Sequence, residues 1–260
     1  MRNTIHYHIS RIVNKVTNAI IQLRNRHIKM PTTARGIQEK QSAFYTIANF
    51  PSVIGTIDCT HVKIQSPGGD DAELFRNRKS YFSINCQTIS GPNLKVQNVV
   101  ARWPGSTHDS AIFTNSRVCQ EFESGIYGQA LLLGDNGYPL KNYLITSYLN
   151  PGTPAQERFN KSQIKTRNTV ERQYGVIKRR FPALAMGLRI KLERACNVII
   201  ACCILHNICV DFGEDVPPTP DELDEDTLNR RIQDGQIENQ TLDFGSVAID
   251  RRSLITQNYF

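Results

Sequence analysis

One segment of the chain, residues 53–64, constrains the fold most, because it combines strand-forming residues with an aspartate. Valine, isoleucine and threonine dominate it, which is typical of a β-strand. Asp58 lies in its middle although aspartate is depleted in strands, and an unpaired buried carboxylate costs free energy or shifts its pKa. Thr56 and Thr60 alternate with Asp58, so we expect one face of this strand to border a polar cleft.

The segments that follow alternate between strand-like and helix-like patterns. The predicted strands are residues 53–64, 81–90, 94–103 and 130–133, and the predicted helices are residues 110–123, 168–180 and 192–210. The run at 130–133 is short and fully apolar, as expected of a buried central strand. This order predicts a mixed α/β domain over residues 51–210, formed by a mixed sheet flanked by helices.

The two flanks differ from this central part. Residues 1–50 are predicted to be a helical segment, with one amphipathic helix near the start and a second over residues 37–48. Residues 211–260 hold twelve acidic and four basic side chains, and their composition predicts a disordered acidic tail.

The charge of the chain is unevenly distributed. Residues 1–210 carry a net charge of +15, which the acidic tail reduces to +7 for the whole chain. A strongly basic body suggests a polyanionic partner such as nucleic acid, and an evenly charged soluble surface is the alternative.

Two classes of protein are not expected. No apolar run reaches the roughly 18 residues of a membrane-spanning helix, and no apolar signal core follows the first residues, so neither a membrane nor a secreted protein is predicted. The seven cysteines include no Cys-x-x-Cys pair, which favours buried free thiols over structural zinc.

Four carboxylates on separate predicted elements form the candidate chemical site. Asp135 ends the apolar run, where open α/β sheets tend to place ligand-binding groups. Taken singly, Asp109 would be a helix N-cap, and Glu171 would pair with Arg167 four residues before it. Together with Asp58 they form an oxygen-only set that suits Mg²⁺ or Mn²⁺. Two such ions about 4 Å apart can activate water and stabilise the leaving oxygen of a phosphodiester.

These carboxylates lie in four short blocks of sequence. The blocks are GTIDCTHV at residues 55–62, WPGSTHDS at 103–110, LGDNGYP at 133–139 and VER at 170–172. In this order they resemble the PIF/Harbinger DDE transposases and, more closely, the domesticated Harbinger transposase-derived nucleases of animals. The resemblance implies an RNase H-like fold and metal-dependent cleavage of DNA by two metal ions. It also implies that Asp58, Asp135 and Glu171 are the catalytic triad and that Asp109 is a further metal position.

The resemblance extends to partners and location. Members of this family often act with a separate Myb/SANT-like protein that supplies DNA recognition and nuclear entry, so the nucleus is the expected location, with the cytoplasm as a second one. Members usually carry a helix-turn-helix-like unit in a longer N-terminal region, and residues 1–50 are interpreted as its remnant. The sequence leaves homo-oligomerisation open.

Six basic side chains are candidate DNA contacts. Half of them lie beside aromatic residues before the second strand, where phosphate contact and base stacking are expected, although a solvated loop over a buried phenylalanine explains them equally well. The others share the predicted helix of Glu171, which would bring phosphate and metal together. The six are Arg76, Arg78, Lys79, Arg172, Lys178 and Arg179. His61 and His108 are expected to form hydrogen bonds near the carboxylates rather than to bind a hard metal ion.

Three functions are compatible with the sequence. The first is a divalent-metal-dependent DNA endonuclease, which is favoured because all four carboxylates are present. The second is a catalytically silent, domesticated DNA-binding or scaffold protein that acts with the Myb/SANT-like partner. The third is a hydrolase of small phosphate esters, which fits the carboxylates but leaves the basic body unexplained.

Overall fold

The computed structural model describes residues 2–218, 224–236 and 249–260. The strands are β1 (Val53–Lys63), β2 (Ser83–Ser90), β3 (Val96–Pro104), β4 (Leu131–Leu133) and β5 (Leu144–Ile145). The helices of the body are α1 (Arg2–Ile21), α2 (Arg24–His27), α3 (Ala34–Ala48), α4 (Asp109–Thr114), α5 (Arg117–Glu123), α6 (Pro154–Arg180), α7 (Ala183–Met186) and α8 (Leu192–Asp211). Two more helices, α9 (Glu225–Asp234) and α10 (Ile249–Tyr259), follow in the acidic part of the chain.

The five strands form one mixed sheet in the order β3-β2-β1-β4-β5. β1 and β3 each pair antiparallel with β2, whereas β4 runs parallel to both β1 and β5. Helix α6 lies against β1 and β2 on one face, and α4 contributes Phe113 to the apolar core of the other. The mixed sheet flanked by helices confirms the predicted α/β architecture.

Strand β1 is the centre of the sheet. Ten of its eleven residues are buried, and it is hydrogen-bonded along both edges, to β2 over its whole length after Gly55 and to β4 over its first residues only. Because β4 ends at Leu133, opposite Thr56, no strand among the described residues pairs with the later part of β1 on that edge. This open edge begins just before Asp58.

Two predicted helices differ from the observed ones. The helix expected over residues 110–123 is two helices, because the Ser116 hydroxyl accepts a hydrogen bond from the backbone N–H of Cys119 and begins α5 there. The helix expected over residues 168–180 begins much earlier, at Pro154, after the N-cap Thr153. The short strand β5 was not predicted.

The N-terminal helices pack on the same body. The predicted helices are confirmed, and Phe44 of α3 is fully buried together with Phe50 and Phe159. The apolar stripe of α1 is only partly covered, since Ile9 and Ile12 remain at least half exposed.

The expectation of a disordered acidic tail is wrong for α9 and α10, two of the three stretches of residues 211–260 that the structure describes. Leu228 of α9 is completely buried, and the ring of Phe260, at the end of α10, lies 5.7 Å from that of Phe50. Ile255 and Thr256 of α10 are buried as well, so both helices dock on the body through a few side chains. Residues 219–223 and 237–248 of the predicted tail lie outside the described part of the chain.

Helix α8 is long and apolar enough to cross a membrane on length and composition alone. In this structure it packs against β3 and α1. Its Asn207 is completely buried and hydrogen-bonds both the N–H and the carbonyl of Val96, so the helix is joined to the sheet by polar contacts as well.

Candidate active site

The first two carboxylates are brought together by the parallel pairing of β1 and β4. Thr56 lies opposite Leu133 in this ladder, so continuing the register by two residues brings Asp135 level with Asp58. Adjacent strands lie about 4.8 Å apart, and residues two apart share a face. Asp135 is fixed just beyond the strand by the backbone N–H of Gly137, which donates to its Oδ1 over 3.0 Å.

The third carboxylate reaches Asp58 through an arginine. Arg167 of α6 lies 2.7 Å from Oε1 of Glu171, one turn later on the same helix, and 3.6 Å from Oδ2 of Asp58. The arginine side chain is 16% exposed and that of Asp58 is 11% exposed. A single guanidinium therefore bridges two of the three predicted catalytic carboxylates, of which Asp58 is nearly enclosed and Glu171 is 41% exposed.

The pKa of Asp58 reflects both its burial and the charged groups around it. Burial raises this pKa well above its ordinary value, and the neighbouring Asp135 carboxylate raises it further. Arg167 lowers it, but Asp109 adds another rise. A carboxylate in this position gains from any additional cation that approaches it.

Asp109 approaches from the other side of β1. Its Oδ1 accepts a hydrogen bond of 2.8 Å from the side-chain amide of Asn85, and it also hydrogen-bonds the thiol of Cys59. Cys59 alternates with Asp58 and so points to the opposite face of the strand. Asp109 is the first residue of α4, after the N-cap His108, so the N-cap interpretation is wrong by one residue.

The four carboxylates are thus neighbours without forming a closed ligand set. Within residues 2–218, 224–236 and 249–260, no group of three or more His, Cys, Asp or Glu side chains is arranged to hold a metal ion. Glu171 faces Arg167, and Asp109 faces Asn85, so each is engaged with a protein group.

The two histidines near these carboxylates form hydrogen bonds to protein groups. Nδ1 of His61 lies 3.0 Å from the Ser83 hydroxyl, and Nε2 of His108 lies 3.0 Å from the Arg78 guanidinium. Burial, followed by the nearby Lys178, lowers the pKa of His61 to about 3. His61 is therefore neutral at physiological pH.

The exposed candidate DNA contacts differ in how they are held. Arg76 is paired with Glu73 by two hydrogen bonds, of 2.7 and 2.9 Å, and its guanidinium lies over the ring of Phe82. Arg78 is held beside Asp109 through His108. Arg172 is exposed on α6.

The other three candidates contact α9 or the two residues after it. The Lys79 ammonium donates to the carbonyls of Asp234 and Gln236, and Arg179 donates to the Asn229 side chain over 2.6 Å. Lys178 is only 2% exposed, and its ammonium lies 2.7 Å from the Thr60 hydroxyl. As the chain is folded here, Lys178 has no access to a ligand from solvent.

Thr56 and Thr60 are buried, so the cleft expected beside them is filled by protein. Thr60 contacts α6 and the end of α9 instead.

Several residues of the site were missed from the sequence. The side chains of Asn85 and Gln87, alternate residues on β2, hydrogen-bond Asp109 through its carboxylate and its carbonyl. The hydroxyl of Tyr174 donates to the carbonyl of Asp58 over 2.6 Å, which ties α6 to β1 beside the carboxylate. Two amides on one face of a buried strand are a signal that could have predicted the first pair.

Comparison with known proteins places this arrangement in a family. Residues 57–207 match the DDE superfamily endonuclease family. The human protein "Putative nuclease HARBI1" is 34% identical over 82% of this chain and 61% of its own length. The protein of the same name from Xenopus laevis is 30% identical over 80% of this chain and 60% of its own. The Arabidopsis thaliana "Protein ALP1-like" is 26% identical over 79% and 54%.

These matches have two limits. The chain spans less than two thirds of the length of these relatives. No solved structure matches it significantly.

Proposed function

Since this chain belongs to the DDE superfamily endonuclease family, in its Harbinger-derived branch, we propose that it is a divalent-metal-dependent DNA endonuclease. The observation that carries the proposal is that Arg167 contacts both Asp58 and Glu171, while Asp135 lies close enough to Asp58 to raise its pKa. The nuclease domain would comprise residues 51–210.

The topology supports an RNase H-like fold for this domain. Its sheet has three antiparallel strands followed by two parallel ones, with β1 at the centre. The proposed triad comes from β1, from the loop after β4 and from α6, the long helix that crosses β1. A sheet of this kind holds carboxylates on rigid elements, as a catalytic constellation requires.

The donor chemistry fits Mg²⁺ or Mn²⁺. Asp58 and Asp135 would hold the metal, Glu171 would complete the ligand set, and Asp109 would contribute from the other side of β1. Hard divalent cations prefer such oxygen ligands, and Asp135 and Asp109 lie close enough to Asp58 to add to the rise in its pKa that burial causes. Two bound ions would supply an activated water and stabilise the leaving oxygen of the phosphodiester.

The residues of this chain prepare the site in three ways. Burial by the sheet and α6 excludes water from Asp58 and strengthens its interaction with any cation. Arg167 balances the charge of Asp58 and Glu171, and Glu171 would have to leave this partner to hold a metal ion. Tyr174 holds the backbone at Asp58 and so fixes the carboxylate relative to α6.

DNA is the proposed substrate because residues 1–210 carry a net charge of +15. The phosphate backbone would contact five of the six candidates from the sequence, Arg76, Arg78, Lys79, Arg172 and Arg179. The sixth, Lys178, would take part only if the residues that bury it moved away. We further propose that the protein works in the nucleus, with the cytoplasm as a second location, and with a Myb/SANT-like partner. Self-association is part of the same proposal, to be measured on the purified chain.

The test is nicking of supercoiled plasmid by the purified chain with Mg²⁺, with Mn²⁺ and with EDTA. We expect metal-dependent nicking that falls by at least about a thousandfold in Asp135→Ala, because the metal loses a ligand. The matched control is Asp70→Ala, since Asp70 is an exposed aspartate away from the site. Equal nicking by Asp135→Ala and by the wild type would refute the proposed chemistry.

The alternative is a silent DNA-binding or scaffold protein. The observation that favours it is the engagement of Glu171 and Asp109 with Arg167 and Asn85, which leaves the ligand set open. Binding of duplex DNA without nicking in either metal would support this alternative. Turnover of small phosphate esters without any action on DNA would support the third candidate.

A further inference from the structure

Five hydrogen-bond donors converge on the C-terminal end of α9 and the two residues after it. They come from the later part of β1, from the loop and residues before β2, and from α6. The donors are the Thr60 hydroxyl, the His61 backbone N–H, the Lys79 ammonium, the Tyr81 hydroxyl and the Lys178 ammonium. We call this set the donor cradle.

Every acceptor that fills the donor cradle from this segment is a backbone carbonyl. The carbonyl of Gly235 accepts from His61 over 2.7 Å and from Thr60 over 3.0 Å. That of Asp234 accepts from Tyr81 over 2.7 Å and from Lys79 over 3.2 Å. Weaker contacts join Lys178 to the carbonyl of Ile232 and Lys79 to that of Gln236.

The donor cradle is continuous with the proposed catalytic site. Thr60 and Asp58 share a face of β1 and are separated by about 7 Å along the strand. Lys178 and Glu171 lie two turns apart on the same side of α6, about 10 Å along the helix. Both elements therefore run from the carboxylates directly into the cradle.

The cradle also occupies the open edge of β1. Since β4 ends opposite Thr56, the backbone N–H of His61 has no strand partner there and donates to Gly235 instead. The segment at the end of α9 thus stands where a ligand with oxygen acceptors would complete the hydrogen bonds of this edge.

The donor cradle is positively charged and therefore favours an anion. Lys79 and Lys178 contribute ammonium groups, and Arg78 is close enough that the three together help to lower the pKa of His61. The negative groups that α9 brings nearby are Asp234, 3.8 Å from Lys79, and Glu225, 3.4 Å from Arg179. The C-terminal end of a helix carries only about half a negative charge, less than one phosphate of DNA.

We propose that the donor cradle is a binding site for the phosphate backbone of DNA, and that residues 225–236 occupy it as an internal competitor. The carbonyls of this segment stand in for phosphate oxygens, and DNA must displace the segment to reach the carboxylates. This inference rests on the proposed function, because it takes DNA as the substrate.

Gly235 offers a way to release the segment without changing any donor. A Cβ at this position would lie 2.0 Å from the Lys178 ammonium and 2.8 Å from the carbonyl oxygen of His61. The lysine can move, but the backbone of β1 cannot, so a larger residue must lift the segment. Gly235 has φ of −78°, which any residue adopts, so the effect comes from the contact rather than from backbone strain.

The experiment compares the wild type with Gly235→Val and with the control Gly152→Val, where a Cβ would meet no atom closer than 3.9 Å. Binding of a fluorescein-labelled duplex oligonucleotide is measured by anisotropy in EDTA, and nicking of plasmid is measured separately with Mg²⁺ or Mn²⁺. We expect Gly235→Val to bind the duplex about tenfold more tightly, because the competent fraction rises. Gly152→Val should bind as the wild type does.

Hydrogen exchange of the wild type gives a second test that needs no variant. Amide protection of residues 225–236 should fall when the duplex is added in EDTA, since the segment leaves the cradle. Unchanged or increased protection at saturating duplex overturns the inference, and so does a Gly235→Val chain that has lost this protection but binds no more tightly.

The two proposals fail in different ways. Plasmid nicking with unchanged protection rejects the internal competitor and leaves the nuclease intact. A loss of protection on DNA binding without nicking supports the competitor and rejects the enzyme. A wild type and a Gly235→Val chain that neither bind nor nick DNA reject both.

Discussion

Strand β1 and helix α6 carry two clusters of opposite charge, the acidic end and the basic end, and both are neutralised from within the chain. At the acidic end the guanidinium of Arg167 contacts Asp58 and Glu171, and Asp135 lies beside Asp58. At the other end, the donor cradle gathers around backbone carbonyls at the end of α9. The acidic end is balanced by a full positive charge in direct contact, whereas the basic end is filled mainly by carbonyl dipoles, with the Asp234 carboxylate 3.8 Å from Lys79.

This difference teaches how strongly each end is closed. Removing Arg167 from the acidic end leaves the buried Asp58 carboxylate without the cation that lowers its pKa, which is unfavourable. Removing the carbonyls from the basic end exposes the ammonium groups of Lys79 and Lys178, which water can hydrate or a phosphate can bind. The end of α9 should therefore leave the basic end more easily than Arg167 leaves the acidic end. Each end can be tested by its own substitution.

The largest effect is expected from Arg167→Met. It should lower the free energy of unfolding by about 3 kcal/mol at neutral pH, because Asp58 then remains buried beside Asp135 without its cation. Thermal or urea unfolding measures this, and added Mg²⁺ should restore more stability to the variant than to the wild type.

Arg35→Met is the matched control for that variant. Arg35 and Glu39 also form an i,i+4 pair, but their side chains are 90% and 63% exposed. Its loss should change stability by at most about 0.5 kcal/mol. Similar losses of stability in the two variants would mean that Arg167 contributes no more to the free energy of unfolding than an exposed ion pair does.

At the basic end, Lys178→Met should change how stability depends on pH. Burial lowers the pKa of Lys178 to about 8, below the unfolded value of about 10.4, so the unfolded chain binds more protons between these values. Stability from this group is therefore present above about pH 10.4 and lost as the pH falls towards 8.

The measurement is urea unfolding of both chains at pH 8 and at pH 10. Over this interval the wild type should gain on the order of 2 kcal/mol relative to Lys178→Met. The exposed Lys165 provides the control variant Lys165→Met, which should follow the wild type. Parallel pH profiles for the wild type and Lys178→Met would show that the buried ammonium is solvated.

The smallest effect is expected from Asp58→Asn, which removes negative charge from the acidic end. It should raise the free energy of unfolding by about 1 kcal/mol at neutral pH while abolishing nicking, because a buried, repelled carboxylate becomes neutral. The pKa of Asp58 is raised in the folded state, so its stabilising contribution is present below the unfolded pKa and lost as the pH rises through the folded one.

The advantage of Asp58→Asn should therefore shrink as the pH is lowered from neutral towards the unfolded pKa. Thermal unfolding across this range, beside Asp70→Asn at an exposed position, tests the sign. If the stability advantage of Asp58→Asn grew on acidification, the pKa of Asp58 would not be raised in the folded state.

The acidic end could be predicted from the sequence in most of its parts. Asp58 is conspicuous inside a strand pattern, Asp135 follows an apolar run, and Arg167 precedes Glu171 by one helical turn. The contact between Arg167 and Asp58 joins residues 109 positions apart, so it requires the fold itself. The extent of α6 was missed for a related reason: it buries polar residues such as Gln163 and Thr166 and shows little apolar periodicity there.

The basic end could not be predicted. The cations of Lys79 and Lys178 were evident, but the groups that fill the donor cradle are carbonyls, which every residue carries and no sequence pattern reveals. The acidic composition of residues 211–260 indicated solvation and hid the one buried leucine, Leu228, that docks α9.

Helix α6 has a consequence for the spacing of the two ends. It carries Glu171 and Lys178 on one uninterrupted stretch, so the distance between them is fixed by helical rise alone. One residue inserted between them would turn the far part of the helix by about 100° and advance it by about 1.5 Å. An insertion here should therefore move Lys178 away from the face that carries Glu171, even though both side chains remain. The length of α6 between these two residues thus sets their relative position.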